Sequence, residues 1–306
     1  MKPSAEVPWH LHTVRAALRK VNASLSRRRE RALERTHPPP VQGKAPRVVE
    51  AEACLRQLDI SGNDAREYFE KHLPRLSRTL SLVPTGSGAV LELGAYLQMT
   101  PFLKEFCGYS MVRGAHFGQA GYTENKIARV NGKSVVIPVD LFDAENDPFP
   151  FDDGSFETVL VCELIEHLLR DPIRMLLECR RVLMEGGRIL VTTPNIASLT
   201  SVARVLHGYD NPQIYSKYSI PRPGIEEVPH VREYTAFELR DTVQAAGFEI
   251  ETLITETIAG LEINLPIWNF LEEQGYNTAL RGEQIFCVAV KREALPVNRY
   301  PKFLYE

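Results

Sequence analysis

Five short apolar runs recur along the middle of this chain, and their spacing restricts the folds that it can adopt. The runs are AVLEL (89–93), SMVRGAHF (110–117), SVVIPVD (134–140), TVLVC (158–162) and RILVTT (188–193), and helical patterns or long loops separate most of them. Strands that alternate with helical segments predict βαβ units. The predicted fold class is therefore α/β, with a mostly parallel sheet that is covered on both faces.

Residues on either side of these runs predict a helical lead-in and a late pair of strands. Two weak apolar stripes at helical spacing precede the first run: Val49, Ala53 and Leu58, then Tyr68, Leu73, Leu76 and Leu80. Asp171 and Pro172 predict the start of a helix that Gly186 and Gly187 stop. Thr235 predicts a second helix start, and FEIETLITETI (248–258) and EQIFCVAV (283–290) then predict a hairpin-like pair that closes the sheet.

These patterns divide the chain into five predicted parts. They are a basic N-terminal arm and linker (1–47), the helical lead-in (48–82), a cofactor-binding core (83–200), a lid or substrate segment (201–234) and a C-terminal part that completes the sheet (235–306). The stretch 208–234 is rich in proline, tyrosine and charge and is longer than an ordinary connection, which favours an active-site lid.

The N-terminal arm carries the basic character of the chain. Its net charge is +8, whereas the whole chain has a net charge of −3. Val14, Leu18, Val21 and Leu25 recur at helical spacing beside basic residues, so peripheral contact with an anionic membrane is one interpretation. A solvated arm that ends at the Pro38–Pro40 run is the other, and the sequence favours it.

The cysteines and the hydropathy indicate a cytoplasmic protein. The five cysteines are an odd number without a CxxC pair, so neither a disulfide framework nor a zinc site is predicted, and no metal is expected. The sequence has no run of apolar residues long enough to span a membrane and no signal-peptide pattern at its start. Nothing in the pattern favours a nucleic-acid partner.

Polar residues follow four of the apolar runs at the points where the predicted strands end. Glu92 and Gly94 close the first run, His116 closes the second, Asp140 the third, and Cys162 and Glu163 the fourth. In an open α/β sheet, ligands bind beyond the carboxyl ends of the strands, where the strand order reverses. The sequence therefore predicts a ligand-binding cleft at this edge.

From Val139 to Asn195 the chain resembles the class I S-adenosylmethionine-dependent methyltransferases. The resemblance consists of motifs in the family's usual order: an acid after the third strand, PFPFDDGSFE (148–157), EHL (166–168), Asp171-Pro172, RVL (181–183), GG (186–187) and TPN (193–195). It extends less strongly over residues 66–290, including HVREYT (230–235) and AAGF (245–248). The wider pattern is similar to methyltransferases that modify sugars or glycan chains.

This resemblance implies a Rossmann-like seven-strand sheet with the last strand antiparallel and S-adenosyl-L-methionine as the cofactor. Glu92 would serve the methionine ammonium, and Gly94, Ala95 and Tyr96 would form the turn that approaches the cofactor. Asp140 would accept from the adenine amine, with Leu141 and Phe142 flanking the ring. Cys162 and Glu163 would line the cleft near the transferred methyl group, and His116 would replace the acid that grips the ribose.

The cofactor loop departs from the family pattern. Glycine at three alternating positions is usual, and here these positions hold Gly94, Tyr96 and Gln98. His116 can make only one hydrogen bond from each ring nitrogen where a carboxylate would accept from both ribose hydroxyls. An alternative alignment makes Glu124 the ribose acid.

The predicted function is O-methylation of a sugar or glycan hydroxyl. A hydroxyl acceptor needs a general base, and the candidates are His167 and His230, with Glu163 orienting. The acceptor is a small molecule or a glycan. The main alternative is a degenerate methyltransferase fold that serves as a non-catalytic partner subunit, which Tyr96, Gln98 and His116 favour. A nicotinamide-dependent oxidoreductase is disfavoured because GxGxxG is absent.

Overall fold

The computed structural model describes residues 46–208, 211–214, 229–257 and 265–305, and within these ranges the chain builds one eight-stranded sheet. The predicted basic arm up to residue 45, and residues 209–210 and 215–228 of the predicted lid or substrate segment, lie outside the described residues. The strands are β1 (Ala89–Leu93), β2 (Met111–His116), β3 (Tyr122–Val130), β4 (Lys133–Leu141), β5 (Phe156–Cys162), β6 (Leu183–Pro194), β7 (Phe248–Glu256) and β8 (Gln284–Lys291).

The strand order is β3-β4-β2-β1-β5-β6-β8-β7. Strands β4, β2, β1, β5 and β6 are mutually parallel, whereas β8 runs antiparallel to both β6 and β7. The predicted Rossmann-like α/β fold, with a mostly parallel sheet and an antiparallel last strand, is confirmed. The order reverses at β1, which leads to β2 on one side and to β5 on the other, so the predicted cleft lies at this switch point.

Strand β3 is an addition to the seven strands that the resemblance implied. It pairs antiparallel with β4 over its whole length through a two-residue turn at Asn131 and Gly132. Both turn residues have positive φ, +49° and +74°, which is the requirement of a type I′ hairpin turn. The strand was missed because it is a mostly exposed edge strand without apolar alternation, although Asn-Gly is itself a hairpin signal.

Seven α-helices lie in the described ranges. They are α1 (Pro46–Leu55), α2 (Asn63–Leu82), α3 (Leu103–Cys107), α4 (Pro172–Val182), α5 (Leu199–His207), α6 (Ala236–Ala245) and α7 (Leu265–Glu273), with single 3₁₀ turns at Thr100–Phe102 and Ile165–His167. The predicted helix starts are confirmed: the Asp171 side chain accepts from the N–H of Arg174, and Thr235 forms a capping box with Glu238.

Each face of the sheet packs against its own set of helices. Leucines of α1 and α2 pack on one face around Val90, Leu160 and Leu190, and apolar residues of α4 and α6 pack on the other around Leu91 and Val159. The helical lead-in is thus confirmed. The stripe predicted for its first helix was wrong, because Val48, Ala51 and Leu55 are buried while Val49 and Ala53 are exposed. None of the described helices has both the length and the apolarity needed to cross a bilayer.

Candidate active site

The four predicted strand exits lie side by side at one edge of the sheet. Leu93, Ala115, Asp140 and Val161 are in register across β1, β2, β4 and β5. With neighbouring strands about 4.8 Å apart, these four strands span about 14 Å. The cleft predicted from the sequence is therefore a single elongated edge, with β5 at one end and β4 at the other.

Glu92 lies at the end of β1 and is almost fully buried. Its Oε2 accepts a hydrogen bond from the Thr100 hydroxyl at 2.6 Å, and it is 5% exposed. Burial raises the pKa of the Glu92 carboxyl to about 7, and the Thr100 hydrogen bond offsets this only in part. A buried carboxyl with this pKa fits a cationic ligand group, because a positive charge beside it would offset the cost of burying its ionised form.

The loop after β1 has two residues with positive φ, Gly94 and Leu97. Gly94 has φ +66°, and a Cβ added there would meet its nearest heavy atom, in the Leu164 side chain, only at 4.0 Å. The space beside Gly94 is therefore open, as a bound cofactor requires. Tyr96 and Gln98 do not have positive φ, so side chains at these two family glycine positions strain nothing, whereas Leu97 has φ +61°.

The side chains that follow Gly94 lie close to the end of β2. The Ala95 N–H donates to the Ala115 carbonyl at 2.9 Å, and Ala95 is buried. Tyr96 is 74% exposed, and its ring meets the His116 ring edge-on with centroids 5.2 Å apart. Tyr96 and His116 thus form an aromatic pair at the predicted ribose region.

His116 lies at the β2 exit, and the alternative acid Glu124 lies elsewhere. The Nδ1 of His116 is 3.2 Å from the Phe117 carbonyl oxygen, so Nδ1 donates and Nε2 is left as an acceptor. Glu124 is two residues inside the exposed strand β3 and pairs with Val139, one row back from the sheet edge. The position of His116 is therefore nearer to the predicted ribose site than that of Glu124.

Asp140 is at the predicted position, but its carboxylate already has hydrogen-bonding partners. The Arg113 guanidinium binds both of its oxygens, with Nη2 at 2.5 Å from each, and the Thr123 hydroxyl donates to Oδ1 at 2.6 Å. Leu141 follows at the strand end, and its side chain lies so near Gly118 that a Cβ added there would be 3.1 Å from it. Phe142 is buried against Phe149 in the core, so it does not flank a ligand.

Cys162, Glu163 and Glu92 come together at the other end of the edge. Burial raises the pKa of the Cys162 thiol well above its ordinary value, and the nearby Glu92 and Glu163 carboxylates raise it further. The Cys162 side chain is therefore a neutral thiol. Glu163, with φ +51°, is held by hydrogen bonds from Thr192 at 2.8 Å and from Gln284 at 2.6 Å and by Arg75 at 3.5 Å. Its predicted role in orienting a histidine stays a prediction.

His167 and His230, which are 63 residues apart in sequence, are neighbours in the fold. Their rings lie edge-to-face with centroids 4.7 Å apart. The carbonyl of Glu166 accepts from the N–H groups of Val231 and Arg232 at 2.8 and 3.1 Å, which ties the end of the predicted lid to the turn after β5. Both candidate bases therefore lie just past the β5 exit.

Sequence reasoning missed Glu166, which is fully buried between these two histidines and β6. Its Oε2 accepts from the Thr193 hydroxyl at 2.9 Å, and its Oε1 has no hydrogen-bond partner among the described residues. Burial, with Glu163 as the next cause, raises the pKa of Glu166 well above its ordinary value. Arg75, Arg113, Thr192 and Gln284 were missed too, since each lies in a predicted helix or strand where only periodicity was considered.

The strand order, with its reversal at β1, is that of a Rossmann-like fold, in which ligands bind at the carboxyl edge of the sheet. Residues 109–191 match the family described as methyltransferase domain. This match supports a class I S-adenosylmethionine-dependent methyltransferase domain in this part of the chain, and the family indicates S-adenosyl-L-methionine as the cofactor.

One relative and two solved structures are also similar to parts of this chain. A protein of Mycolicibacterium smegmatis described as a "probable S-adenosylmethionine-dependent methyltransferase" is 32% identical over 130 residues, which are 42% of this chain and 42% of the relative. A chain from the complex of the Haloferax volcanii Trm112 methyltransferase activator with a methyltransferase is 15% identical, and the match covers 82% of this chain and 100% of that one, with a TM-score of 0.48. A methyltransferase of Thermotoga maritima is 19% identical, with 75% and 95% covered and a TM-score of 0.46.

Proposed function

We propose that this protein transfers a methyl group from S-adenosyl-L-methionine to a hydroxyl of a sugar or glycan. The observation that carries the proposal is the placement of His167 and His230 together just past the β5 exit, beyond Cys162. The cofactor supplies a methyl group on a positively charged sulfur, so the protein has mainly to align the reacting atoms and exclude water. The family match supports methyl transfer, and the histidine pair supports an oxygen acceptor.

The proposed cofactor contacts follow the sheet edge from β5 to β4. Cys162 would line the methyl end, Glu92 would hold the ammonium, and the Gly94-Ala95-Tyr96 turn would cover the middle. His116 would hydrogen-bond to the ribose. Leu141 would contact the adenine, and Asp140 could reach the adenine amine only by sharing oxygens that Arg113 and Thr123 already use.

The proposed acceptor hydroxyl loses its proton at the histidine pair. His167 Nδ1 is 3.2 Å from the Pro229 carbonyl oxygen, and because a carbonyl only accepts, this nitrogen carries the hydrogen. His230 Nδ1 lies 3.2 Å from Glu233 Oε1, an arrangement that likewise favours the Nδ1–H form. In both rings Nε2 then carries the lone pair and can accept a proton.

The test combines two histidine variants with a measurement of cofactor binding. His167→Ala and His230→Ala should retain S-adenosylmethionine binding by calorimetry but form S-adenosylhomocysteine at least about 100-fold more slowly with sugar or glycan hydroxyl acceptors, the usual scale for a lost general base. Arg292→Ala, which removes one exposed ion pair with Glu249, is the matched control. Full turnover by both histidine variants would contradict the proposal that a histidine is the general base. Turnover with amine acceptors alone would contradict the proposal that the acceptor is a hydroxyl.

The second candidate function is a non-catalytic partner subunit with a degenerate cofactor site. The Tyr96–His116 pair and the occupied Asp140 carboxylate favour it, because both lie in the part of the edge where a cofactor nucleoside would bind. Calorimetry with millimolar S-adenosylmethionine separates the two candidates. Absence of binding heat would favour the partner subunit, whereas saturable binding with one site per chain would favour the enzyme.

A further inference from the structure

Glu166, His167 and His230 have potential metal-ligand atoms that lie close to one another. Each residue offers one ligand atom, and these three atoms all lie within 4.8 Å of one another. Transition metals bind nitrogen and oxygen at about 2.0–2.2 Å, so the donors of a tetrahedral site are about 3.3 Å apart. The three donors would therefore have to approach one another by up to about 1.5 Å to bind one ion in this geometry.

The histidines are held as metal-ligating histidines usually are. His230 Nδ1 faces the buried Glu233 carboxylate, and His167 Nδ1 donates to the carbonyl of Pro229, each at 3.2 Å. A ligating histidine commonly donates its other ring N–H to a carboxylate or a backbone carbonyl, which fixes the ring and leaves the opposite nitrogen for the metal. Both of these supporting partners are present here, and both select Nε2 as the ligand atom.

The third residue supplies an independent observation. Glu166 has no exposed surface, and Thr193 fixes its Oε2, yet its Oε1 has no hydrogen-bond partner among the described residues. A buried carboxylate oxygen in this state is costly in a folded protein and calls for an explanation. A cation bound between Glu166 and the two histidines would satisfy it.

We propose that Glu166, His167 and His230 bind one divalent transition-metal ion. Two imidazoles and one carboxylate suit Zn²⁺, Fe²⁺, Co²⁺ or Ni²⁺, whereas Mg²⁺ and Ca²⁺ prefer sites made of oxygen ligands. The cysteine pattern had predicted no metal site, but the site proposed here uses no thiolate. Three protein ligands also leave a coordination position for water or for an acceptor oxygen.

The binding of the ion does not depend on the proposed methyl transfer, but its role there does. If the protein is a methyltransferase, the ion lies at the sheet edge where the acceptor hydroxyl would be activated. A bound cation lowers the pKa of a coordinated hydroxyl and would take over the task given to the histidine base. Metal binding and methyl transfer are therefore measured separately.

The test is a metal titration without cofactor or acceptor. The full chain, free of any affinity tag and stripped with a chelator, is titrated with Co²⁺ by visible spectroscopy and with Zn²⁺ by equilibrium dialysis. We expect one ion per chain. Glu166→Gln and His230→Ala should each weaken binding at least about 100-fold, and Glu233→Gln, which removes a supporting partner, about 10- to 100-fold. His207→Ala, at the exposed end of α5, should bind as the wild type does.

Three results would overturn the proposal. The first is binding of less than about one-tenth of an ion per chain by the wild type at millimolar metal concentration. A thiolate-to-cobalt charge-transfer band would place the ion at a cysteine instead. Unchanged affinity in Glu166→Gln, with a thermal unfolding transition that shows the variant is folded, would remove the carboxylate from the site.

Discussion

Arg113 on β2 forms a bidentate ion pair with the Asp140 carboxylate on β4, with Nε 3.0 Å from Oδ2 and Nη2 2.5 Å from both oxygens. Thr123 on the edge strand β3 donates to the same carboxylate at 2.6 Å. The three residues therefore connect three neighbouring strands. The carboxylate assigned to adenine recognition has its hydrogen-bonding capacity filled by the sheet itself.

Removal of Arg113 should destabilise the fold. Arg113→Ala would leave the buried Asp140 carboxylate with Thr123 as its remaining side-chain donor, and breaking a buried pair in this way costs about 3 kcal/mol in the free energy of unfolding. Urea denaturation measures it. Arg188→Ala removes a partly exposed pair with Glu251 and should cost less than about 1 kcal/mol. If Asp140→Asn weakens cofactor binding but leaves stability unchanged, Asp140 serves adenine rather than the sheet.

Cofactor affinity should depend on pH through Glu92. The Glu92 carboxyl has a pKa of about 7, so it is protonated in the free protein at lower pH and must lose its proton to pair with an ammonium group. Affinity for S-adenosylmethionine should then fall by up to about tenfold for each pH unit below 7. Calorimetry between pH 5.5 and 7 measures this. Glu92→Gln should bind weakly with little dependence on pH, and an equal slope in both proteins would contradict the role.

The same substitution should stabilise the protein at high pH. The pKa of Glu92 in the folded protein, about 7, lies above the ordinary value of 4.5, so the folded protein retains the proton more strongly. The free energy of unfolding therefore falls as pH rises from about 4.5 past 7, by roughly 3 kcal/mol in total. Glu92→Gln has no ionisable carboxyl at this position, so its unfolding free energy should not show this fall. It should match the wild type near pH 4.5 and exceed it at pH 8 in urea denaturation, and equal stability at pH 8 would contradict the buried, raised-pKa carboxyl.

Gly94→Ala should weaken both the fold and cofactor binding. A Cβ at Gly94 meets no atom closer than 4.0 Å, but φ +66° costs a non-glycine residue roughly 1–2 kcal/mol. The added methyl group would also project into the space proposed for the cofactor. We expect a small loss in unfolding free energy together with a loss of S-adenosylmethionine affinity of at least about tenfold. Ser87→Ala, on the exposed turn before β1, is the control, and unchanged affinity in Gly94→Ala would place the cofactor elsewhere.

The fold was predictable where the information is local. The caps at Asp171 and Thr235 depend on side chains that bond to the backbone three residues away, and both were read correctly from the sequence. The buried parallel strands were evident as apolar runs. Strand β3 was not predicted, because it is a mostly polar, exposed edge strand that lacks a hydrophobic pattern. Its one local signal was the Asn131-Gly132 turn.

The candidate site was only partly predictable, because its key pairs are distant in sequence. The sheet edge follows from strand order, so Glu92, Gly94 and Cys162 could be assigned to it from the apolar runs alone. The pairing of Arg75 with Glu163 depends on how α2 packs on the sheet, and the contact between His167 and His230 depends on where the chain returns after a long segment. Neither contact can be predicted from the local periodicity of the sequence.

Zinc should raise the thermal stability of the wild type through the proposed metal site. A ligand that binds the folded state stabilises it by about 2.7 kcal/mol at one hundred times its dissociation constant, which is several degrees in the unfolding temperature for a chain of this size. Zinc also binds unfolded cysteines and histidines, so the comparison must be made against Glu166→Gln, which has the same cysteines and histidines. Zinc should shift the melting temperature upward in the wild type and not in the variant. An equal shift in both would mean that the ion binds away from Glu166, and His167 would then be left as the simpler candidate, a base that acts without metal.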